Sequence, residues 1–144
     1  MLRLLMTCVA LLLTAPQTVL AGGGDPPTGK GVILELNSAV TVEGACRLSF
    51  LAQNLYAQPI TSAVYETVLF TAGGDIDRLT LFDFGTLPVG RPRVRQFDIQ
   101  GVACDTIGRV LINGASTCTG EGLPDAACDT GLVLRSRTTM ELLG

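Results

Sequence analysis

The sequence predicts an all-β fold, specifically an antiparallel, immunoglobulin-like β-sandwich of about seven strands. Apolar residues recur at every second position over several stretches, which is the period of a β-strand. Pairs of Gly, Pro, Asn and Asp separate these stretches at short spacing, and no long stretch has a helical period. Many short strands joined by tight turns are typical of a sandwich of two antiparallel sheets.

The first two predicted strands show the alternation most clearly. In residues 32–36, Val32, Leu34 and Leu36 share one side of the strand. In the next strand the apolar side chains again share one side, opposite Arg47, Ser49 and Gln53; they are Cys46, Leu48, Phe50 and Ala52. Cys46 therefore belongs to the set that faces the core.

The later strands are less uniform. Residues 60–71 are rich in β-branched side chains and apolar on both faces, and a Gly73-Gly74-Asp75 turn separates them from a strand over residues 76–84. A short apolar strand over residues 108–113 ends at Asn113-Gly114, a pair typical of tight turns. The last strand, residues 132–142, alternates most regularly and is expected to be continuous.

The chain begins with the three parts of a secretory signal peptide, namely a basic Arg3, an apolar run, and Val19-Leu20-Ala21 at the cleavage site. We expect a signal peptide over residues 1–21, a flexible Gly/Pro leader over residues 22–31 and one disulfide-bonded domain over residues 32–144. No twin-arginine pair is present, which favours the general secretory route. No later segment is long and apolar enough to cross a membrane, so we expect a soluble periplasmic product.

Four cysteines follow the signal peptide: Cys46, Cys104, Cys118 and Cys128. An even number in an exported chain predicts two structural disulfides, although the sequence alone leaves the pairing open. We favour Cys46–Cys104, which would join an early strand to a late one, and Cys118–Cys128, which would close a loop of turn formers. Metal binding and thiol redox catalysis are disfavoured, because no C-x-x-C pair and no histidine are present.

Three arginines, Arg91, Arg93 and Arg95, stand at every second position on the same parity as Phe97. A regular strand would turn all of them inwards, and an unpaired buried charge is very unfavourable. We therefore expect either a strand that begins near Gln96 or a bulge near Arg95, with all three guanidinium groups in solvent.

In solvent, these arginines have two interpretations. They would form weak ion pairs with acids such as Asp75, Asp77 or Asp83, or they would form a docking surface for an acidic partner. Aromatic residues that could stack on bases are not interleaved with them, so a nucleic-acid partner is not expected.

Composition and motifs exclude several function classes. The formal net charge is −3, and removal of Arg3 would leave 9 of the 10 basic residues against 13 acidic ones, which argues against a nucleic-acid binder. Without histidine there is no Ser-His-Asp or Cys-His mechanism. Residues 24–31 nearly match a phosphate-binding loop, but Gly31 replaces the Ser or Thr that would bind magnesium, so no nucleotide or other cofactor is expected. Glu66 shares the parity of apolar neighbours and is expected at an edge or in solvent.

The segments GACRLSF, FDIQGVACDTIGRVLING and LVLRSRTTMEL together resemble a family of small uncharacterised bacterial exported proteins that are often labelled "Tat pathway signal sequence domain protein". The matching positions include Phe97-Asp98, Cys104-Asp105, residues 107–111 and Asn113. The resemblance implies export and covers most of the mature chain, but it implies no activity. At fold level, Gln53-Asn54 at the end of the second strand is also similar to adhesion-type and accessory sandwich domains.

The leading functional hypothesis is a non-catalytic binding or adaptor module that contacts another envelope protein, with Arg91, Arg93 and Arg95 as its interaction surface. No catalytic residue is assigned, because no set of catalytic side chains stands out. Two alternatives are a carboxylate-dependent periplasmic hydrolase, since 13 acids are available, and a purely structural envelope component.

Overall fold

A computed structural model describes residues 29–144 and confirms the all-β class for that part of the chain. The predicted signal peptide and residues 22–28 of the predicted leader lie outside the described residues. No helix within 29–144 is long and apolar enough to cross a membrane. The strands are β1 (Val32–Val42), β2 (Ala45–Asn54), β3 (Ile60–Thr71), β4 (Ile76–Leu87), β5 (Arg93–Gln100), β6 (Ile107–Thr119), β7 (Val133–Ser136) and β8 (Glu141–Leu143), with a 3-10 turn at Cys104–Thr106.

The strands form two four-stranded sheets that pack face to face as a β-sandwich. Sheet A has the order β5-β2-β1-β7, and sheet B has the order β4-β3-β6-β8. The side chains predicted to face the core on β1 and β2 do so: Val32, Leu34, Leu36, Cys46, Leu48, Phe50 and Ala52 are fully buried. Alternation alone was therefore sufficient to orient these two strands.

An aromatic cluster links the two sheets on the side where β4 and β5 are the edge strands. Phe50 on β2 packs edge-to-face against Phe82 and Phe84 on β4, with ring centroids 5.7 and 5.6 Å apart. Phe97 on β5 stacks on Phe82 at 4.2 Å. Such aromatic pairs contribute about 1 kcal/mol each beyond the area that they bury, so this cluster is a main contact between the sheets.

The sheets are mixed, so the prediction of a purely antiparallel fold was wrong. β7 runs parallel to β1, and β8 runs parallel to β6. The expected continuous strand over residues 132–142 is two strands, one in each sheet. Ser136 Oγ accepts a hydrogen bond from the Thr138 amide at 3.2 Å and lies 2.7 Å from the Met140 carbonyl, to which it donates. This turn lets Met140 enter the core between the sheets.

The expected turn at Asn113-Gly114 is also wrong, because β6 continues through it to Thr119. The register with β3 passes from Thr67 opposite Ile112 to Glu66 opposite Gly114, which leaves Asn113 as an extra residue in a β-bulge. Gly114 has a φ of 145°, which a residue with a side chain rarely adopts. The Asn-Gly pair therefore bends a strand here instead of ending it.

Both disulfides form in the favoured pairing. Cys46–Cys104, with Cα atoms 4.8 Å apart, joins β2 to the 3-10 turn before β6, whereas a late strand was expected as its second anchor. Cys118–Cys128, with Cα atoms 5.9 Å apart, closes the loop between β6 and β7. The 119–127 loop is further held by Tyr56, whose hydroxyl donates to the Ala127 carbonyl at 2.9 Å.

Tyr65 holds the same loop from the core. Its hydroxyl donates to the Cys128 carbonyl at 2.9 Å, and the side chain is fully buried. Burial, followed by the nearby negative charge of Asp129, raises the pKa of the Tyr65 phenol well above its usual value. A raised pKa favours the protonated phenol, which is the form that donates this hydrogen bond.

The pairing of the four cysteines has a direct chemical test. In a Cys46→Ala variant, one new thiol is expected to react with maleimide after denaturation, and peptide mapping should locate it at Cys104. A matched Cys118→Ala variant should expose Cys128 instead. Label at Cys118 or Cys128 in the first variant would contradict the pairing.

Candidate interaction surface

The outer face of sheet B carries apolar side chains in a row across all four strands. Leu79 on β4 lies opposite Val68 on β3, Val68 lies opposite Leu111 on β6, and Leu111 lies opposite Leu143 on β8. A second row contains Ile76, opposite Phe70, which lies opposite Arg109. We refer to the outward side chains of sheet B as the sheet B face; its apolar members are Val64, Val68, Phe70, Ile76, Leu79, Leu81, Leu111 and Leu143.

The sheet B face does not contribute to the core between the sheets. Val68 is only 6% exposed, yet it does not belong to the core cluster between the sheets. On the edge strand β4, Ile76, Leu79 and Leu81 are 62%, 67% and 58% exposed. Single exposed leucines are ordinary on a protein surface, but a contiguous apolar row usually marks an interaction site.

The composition of β3 explains this arrangement. Residues 60–71 are apolar on both faces, as the sequence showed, and β3 lies inside sheet B between β4 and β6. Its inward residues Tyr65 and Leu69 pack in the core, whereas Val68 lies on the opposite face. One face of β3 therefore packs in the core between the sheets, and the other forms the centre of the apolar row.

Polar groups flank the apolar row on both sides. Glu66 is exposed on β3 beside Leu81 and accepts a hydrogen bond of 3.3 Å from the Asn113 amide. The expectation that Glu66 lies at an edge or in solvent is thus met by solvent exposure, on a central strand. On the other side of the row, Arg109 Nε lies 3.6 Å from Glu141 Oε2, and both side chains are at least half exposed.

The outer face of sheet A is mostly polar by contrast, and its apolar side chains, such as Leu51 beside Val94, form no row across the four strands. Arg47 on β2 binds Asp98 on β5 through two hydrogen bonds of 2.7 and 2.8 Å. Gln96 donates to Ser49 at 3.0 Å at the next outward-facing pair of the same two strands. Hydrogen bonds from Arg47 lower the pKa of Asp98, and the same hydrogen bonds, followed by the negative charge of Asp98, raise the pKa of Arg47. The two outer faces therefore differ in chemistry, and only sheet B presents a continuous apolar row.

The Arg47–Asp98 pair makes a testable difference to titration. The side-chain carboxyl of Asp98, followed by NMR, should titrate at a lower pH in the wild type than in an Arg47→Gln variant. Since the pKa is lowered by folding, the stabilising contribution is present above the pKa of the unfolded chain and is lost as pH falls through the folded value. Identical titration curves in the two proteins would contradict the effect.

The three arginines that the sequence singled out do not lie as expected. β5 begins at Arg93 and pairs with β2 without a bulge, so neither a start near Gln96 nor a bulge near Arg95 occurs. Arg91 is exposed before the strand, whereas Arg93 and Arg95 are half-buried on the inward parity. Within residues 29–144 none of the three forms an ion pair with an acid; Asp77 pairs with Arg78 instead.

Arg95 is held by backbone oxygens of the opposite sheet. Its Nε donates to the Phe84 carbonyl at 2.7 Å, and its Nη2 lies 3.4 Å from the Thr86 carbonyl, both on β4. In the reverse direction, Arg78 on β4 donates to the Gln100 carbonyl on β5 at 2.9 Å. The carbonyl groups of two edge strands thus satisfy guanidinium donors across the open side of the sandwich, which explains how an inward parity is tolerated.

Arg95 and Arg93 give a matched pair of variants. Arg95→Gln is expected to lower the free energy of unfolding by about 1 kcal/mol, because hydrogen bonds to edge carbonyls are lost at a half-exposed site. Arg93→Gln should change it by less than about 0.5 kcal/mol, since Arg93 donates only to the adjacent Pro92 carbonyl. Urea denaturation measures both, and equal effects would contradict the role of Arg95.

No group of three or more Cys, Asp or Glu side chains that could hold a metal ion occurs in the part of the chain that the structure describes. The clefts along residues 29–144 are open, such as one of about 460 Å³ beside Asn113, Asp129 and Leu134. In that cleft Asp129 is engaged, because its Oδ1 accepts a hydrogen bond from the Ala115 amide at 2.9 Å. The sheet B face was missed by sequence reasoning, although residues 60–71 carried a signal of it.

No protein-family model matches the chain, and comparison with curated proteins and with solved structures gave no match.

Proposed function

We propose that this chain is a non-catalytic binding module that contacts another envelope protein through the sheet B face. The observation that carries the proposal is the apolar row Leu79–Val68–Leu111–Leu143, which spans all four strands outside the core. Removing such a row from water is the dominant favourable contribution to most protein association. The strongly exposed β4 residues of the sheet B face, Ile76, Leu79 and Leu81, would supply most of the newly buried apolar area.

The proposal includes the periplasm as the compartment and an immunoglobulin-like type for the sandwich. The two disulfides support an oxidising compartment, and the sequence of residues 1–21 supports export. Two stacked sheets with one bridge anchored on the second strand support the sandwich type. Arg91 and Arg93 stay a second predicted contact, separate from Arg95, because Arg95 already binds β4.

The test is site-specific cross-linking in cells. A photoreactive amino acid at Leu81 in a tagged, exported copy should capture an envelope protein other than a second copy of the chain, and the same group at Ser49 on the outer face of sheet A should not. Capture at both positions alike, or at neither, would contradict the proposal. An Arg91→Gln, Arg93→Gln double variant with the Leu81 probe separates the two surfaces: unchanged capture assigns binding to the sheet B face alone.

A further inference from the structure

We propose that in the free protein the sheet B face is covered by a second copy of this chain, in a two-fold dimer whose axis runs along the apolar row. The inference rests on the proposed function, because it uses the same face. It identifies the molecule that covers this face when no other partner is bound. Three features support it: the arrangement of charges on the face, the size of the face, and the edge strands β4 and β5, whose backbone carbonyls already accept hydrogen bonds from arginines.

The charges on the sheet B face are arranged so that two copies complement each other. On β3, Glu66 lies two residues to one side of Val68, and Phe70 lies two residues to the other side. Arg109 is the register partner of Phe70 on β6. A two-fold rotation about the row Leu79–Val68–Leu111–Leu143 places Glu66 of one copy above Phe70 of its partner. The partner's Arg109 lies one strand to the side of that Phe70, about 4.8 Å away across the sheet, so its long side chain can reach the Glu66 carboxylate, and the symmetry creates this contact twice.

The apolar side chains match under the same rotation. Leu81 lies on the Glu66 side of the row, and Ile76 lies on the Phe70 side, both on the edge strand β4. The rotation brings Leu81 of one copy over Ile76 of the other, so two strongly exposed side chains cover each other. The strands of the two copies are then nearly aligned, which is the common arrangement of packed sheets.

The charged groups involved are available for such contacts. Glu66 has one hydrogen bond, from Asn113 at 3.3 Å, and Arg109 faces Glu141 at 3.6 Å, which is longer than a hydrogen bond. Both are surface groups of the free chain, so their pairing across an interface gains strength as water is excluded. The expected pairing gives orientation more than affinity.

The size of the face fits a weak but specific dimer. Four strands at about 4.8 Å spacing and the seven residues from Val64 to Phe70 at about 3.3 Å each cover roughly 400 Å². Because side chains make the accessible surface larger than this flat area, two copies would bury on the order of 1,000 Å² in total, at the lower limit of specific interfaces. We therefore expect a dimer that dissociates on dilution.

Association through a sheet edge is disfavoured on the side of β4 and β5. An added strand needs free backbone groups, but the Phe84 and Thr86 carbonyls of β4 bind Arg95, and the Gln100 carbonyl of β5 binds Arg78. Those guanidinium groups would have to leave before another strand could pair there. Edge pairing on this side is therefore less favourable than contact through the sheet B face.

The experiment is sedimentation equilibrium of the mature chain over a wide concentration range. We expect a monomer–dimer equilibrium that Glu66→Arg weakens about tenfold, that Arg109→Glu weakens similarly, and that the combined exchange returns to within about threefold of wild type. A control variant, Ser49→Arg on the outer face of sheet A, should leave it unchanged. Circular dichroism and thermal unfolding of each variant verify that the fold is retained.

Several results would overturn the dimer. They are a monomer at every concentration, a dimer indifferent to both charge changes, and a dimer that the combined exchange does not restore. The Leu81 cross-linking probe separates this failure from that of the proposed function. A monomeric chain whose probe still captures a different protein retains the binding function and loses the dimer; a monomeric chain whose probe captures nothing loses both.

Discussion

Replacing Cys46 and Cys104 together by alanine is expected to lower the free energy of unfolding by about 4 kcal/mol. The bridge closes a loop of 58 residues, and cross-linking a long loop removes many conformations from the unfolded chain. It also anchors the 3-10 turn on β2, in a part of the core where Cys46 is fully buried. Since small domains have unfolding free energies of about 5–15 kcal/mol, this variant is expected to be marginally stable at 37 °C.

The second bridge supplies the matched control. Cys118–Cys128 closes a loop of 10 residues, and the same entropic treatment gives a smaller loss of about 3 kcal/mol for Cys118→Ala with Cys128→Ala. The double-alanine pairs avoid free thiols, so misoxidation does not enter the comparison. Equilibrium urea unfolding at fixed temperature measures both pairs. A larger loss for the shorter loop would show that contacts of Cys128, and not loop closure, control the stability.

Alternation in the sequence predicted the strands whose two faces have different surroundings. On β1 and β2 one side is core and the other is the polar outer face of sheet A, so a period of two identified Val32, Leu34, Cys46 and Phe50 as core residues. The prediction of one continuous strand over residues 132–142 was wrong because alternation identifies the inward side chains but not the sheet to which a strand belongs. A continuous alternation is equally compatible with one strand and with two strands in opposite sheets, since Met140 can be inward-facing in either case.

The prediction that all three arginines point into solvent was wrong for Arg93 and Arg95, because the inward side of an edge strand is not uniformly apolar. The alternation places Arg93 and Arg95 on the inward side of β5, where the structure has them. The predicted change of face assumed that an inward charge would find no polar partner. At the open side of the sandwich, edge carbonyls of β4 are available, and Arg95 satisfies them. Long-range hydrogen-bond acceptors of this kind leave no periodic signal in the sequence.

The sheet B face could not be recognised from the sequence, because the row depends on the register between neighbouring strands. Residues 60–71 could be recognised as apolar on both sides, and Leu79 and Leu81 as members of a strand. Their alignment with Leu111 and Leu143 requires knowing that β6 and β8 flank β3 on its other side. The bulge at Asn113 is part of that register, because it brings the Asn113 amide to Glu66.

Asn54 is the site of the second large effect, because one buried amide binds three backbone groups from different parts of the fold. Its Nδ2 donates to the Gln58 carbonyl at 2.8 Å and to the Leu87 carbonyl at 3.0 Å. Its Oδ1 accepts from the Tyr56 amide at 2.9 Å, and the residue is 1% exposed. Asn54 therefore joins the end of β2 in sheet A to the end of β4 in sheet B through side-chain hydrogen bonds.

Asn54→Ala is accordingly expected to lower the free energy of unfolding by about 3 kcal/mol, since buried backbone groups left without a partner each cost about 1–3 kcal/mol and water reaches only part of the site. Gln53→Ala, one residue earlier and on the outer face, should cost less than about 0.5 kcal/mol. Hydrogen exchange locates the effect: the Tyr56 amide should lose protection in the Asn54 variant, while the Leu48 amide, paired within sheet A, should change only with global stability. If Tyr56 kept its protection, or if both substitutions had equal effects, Asn54 would not join the two sheets.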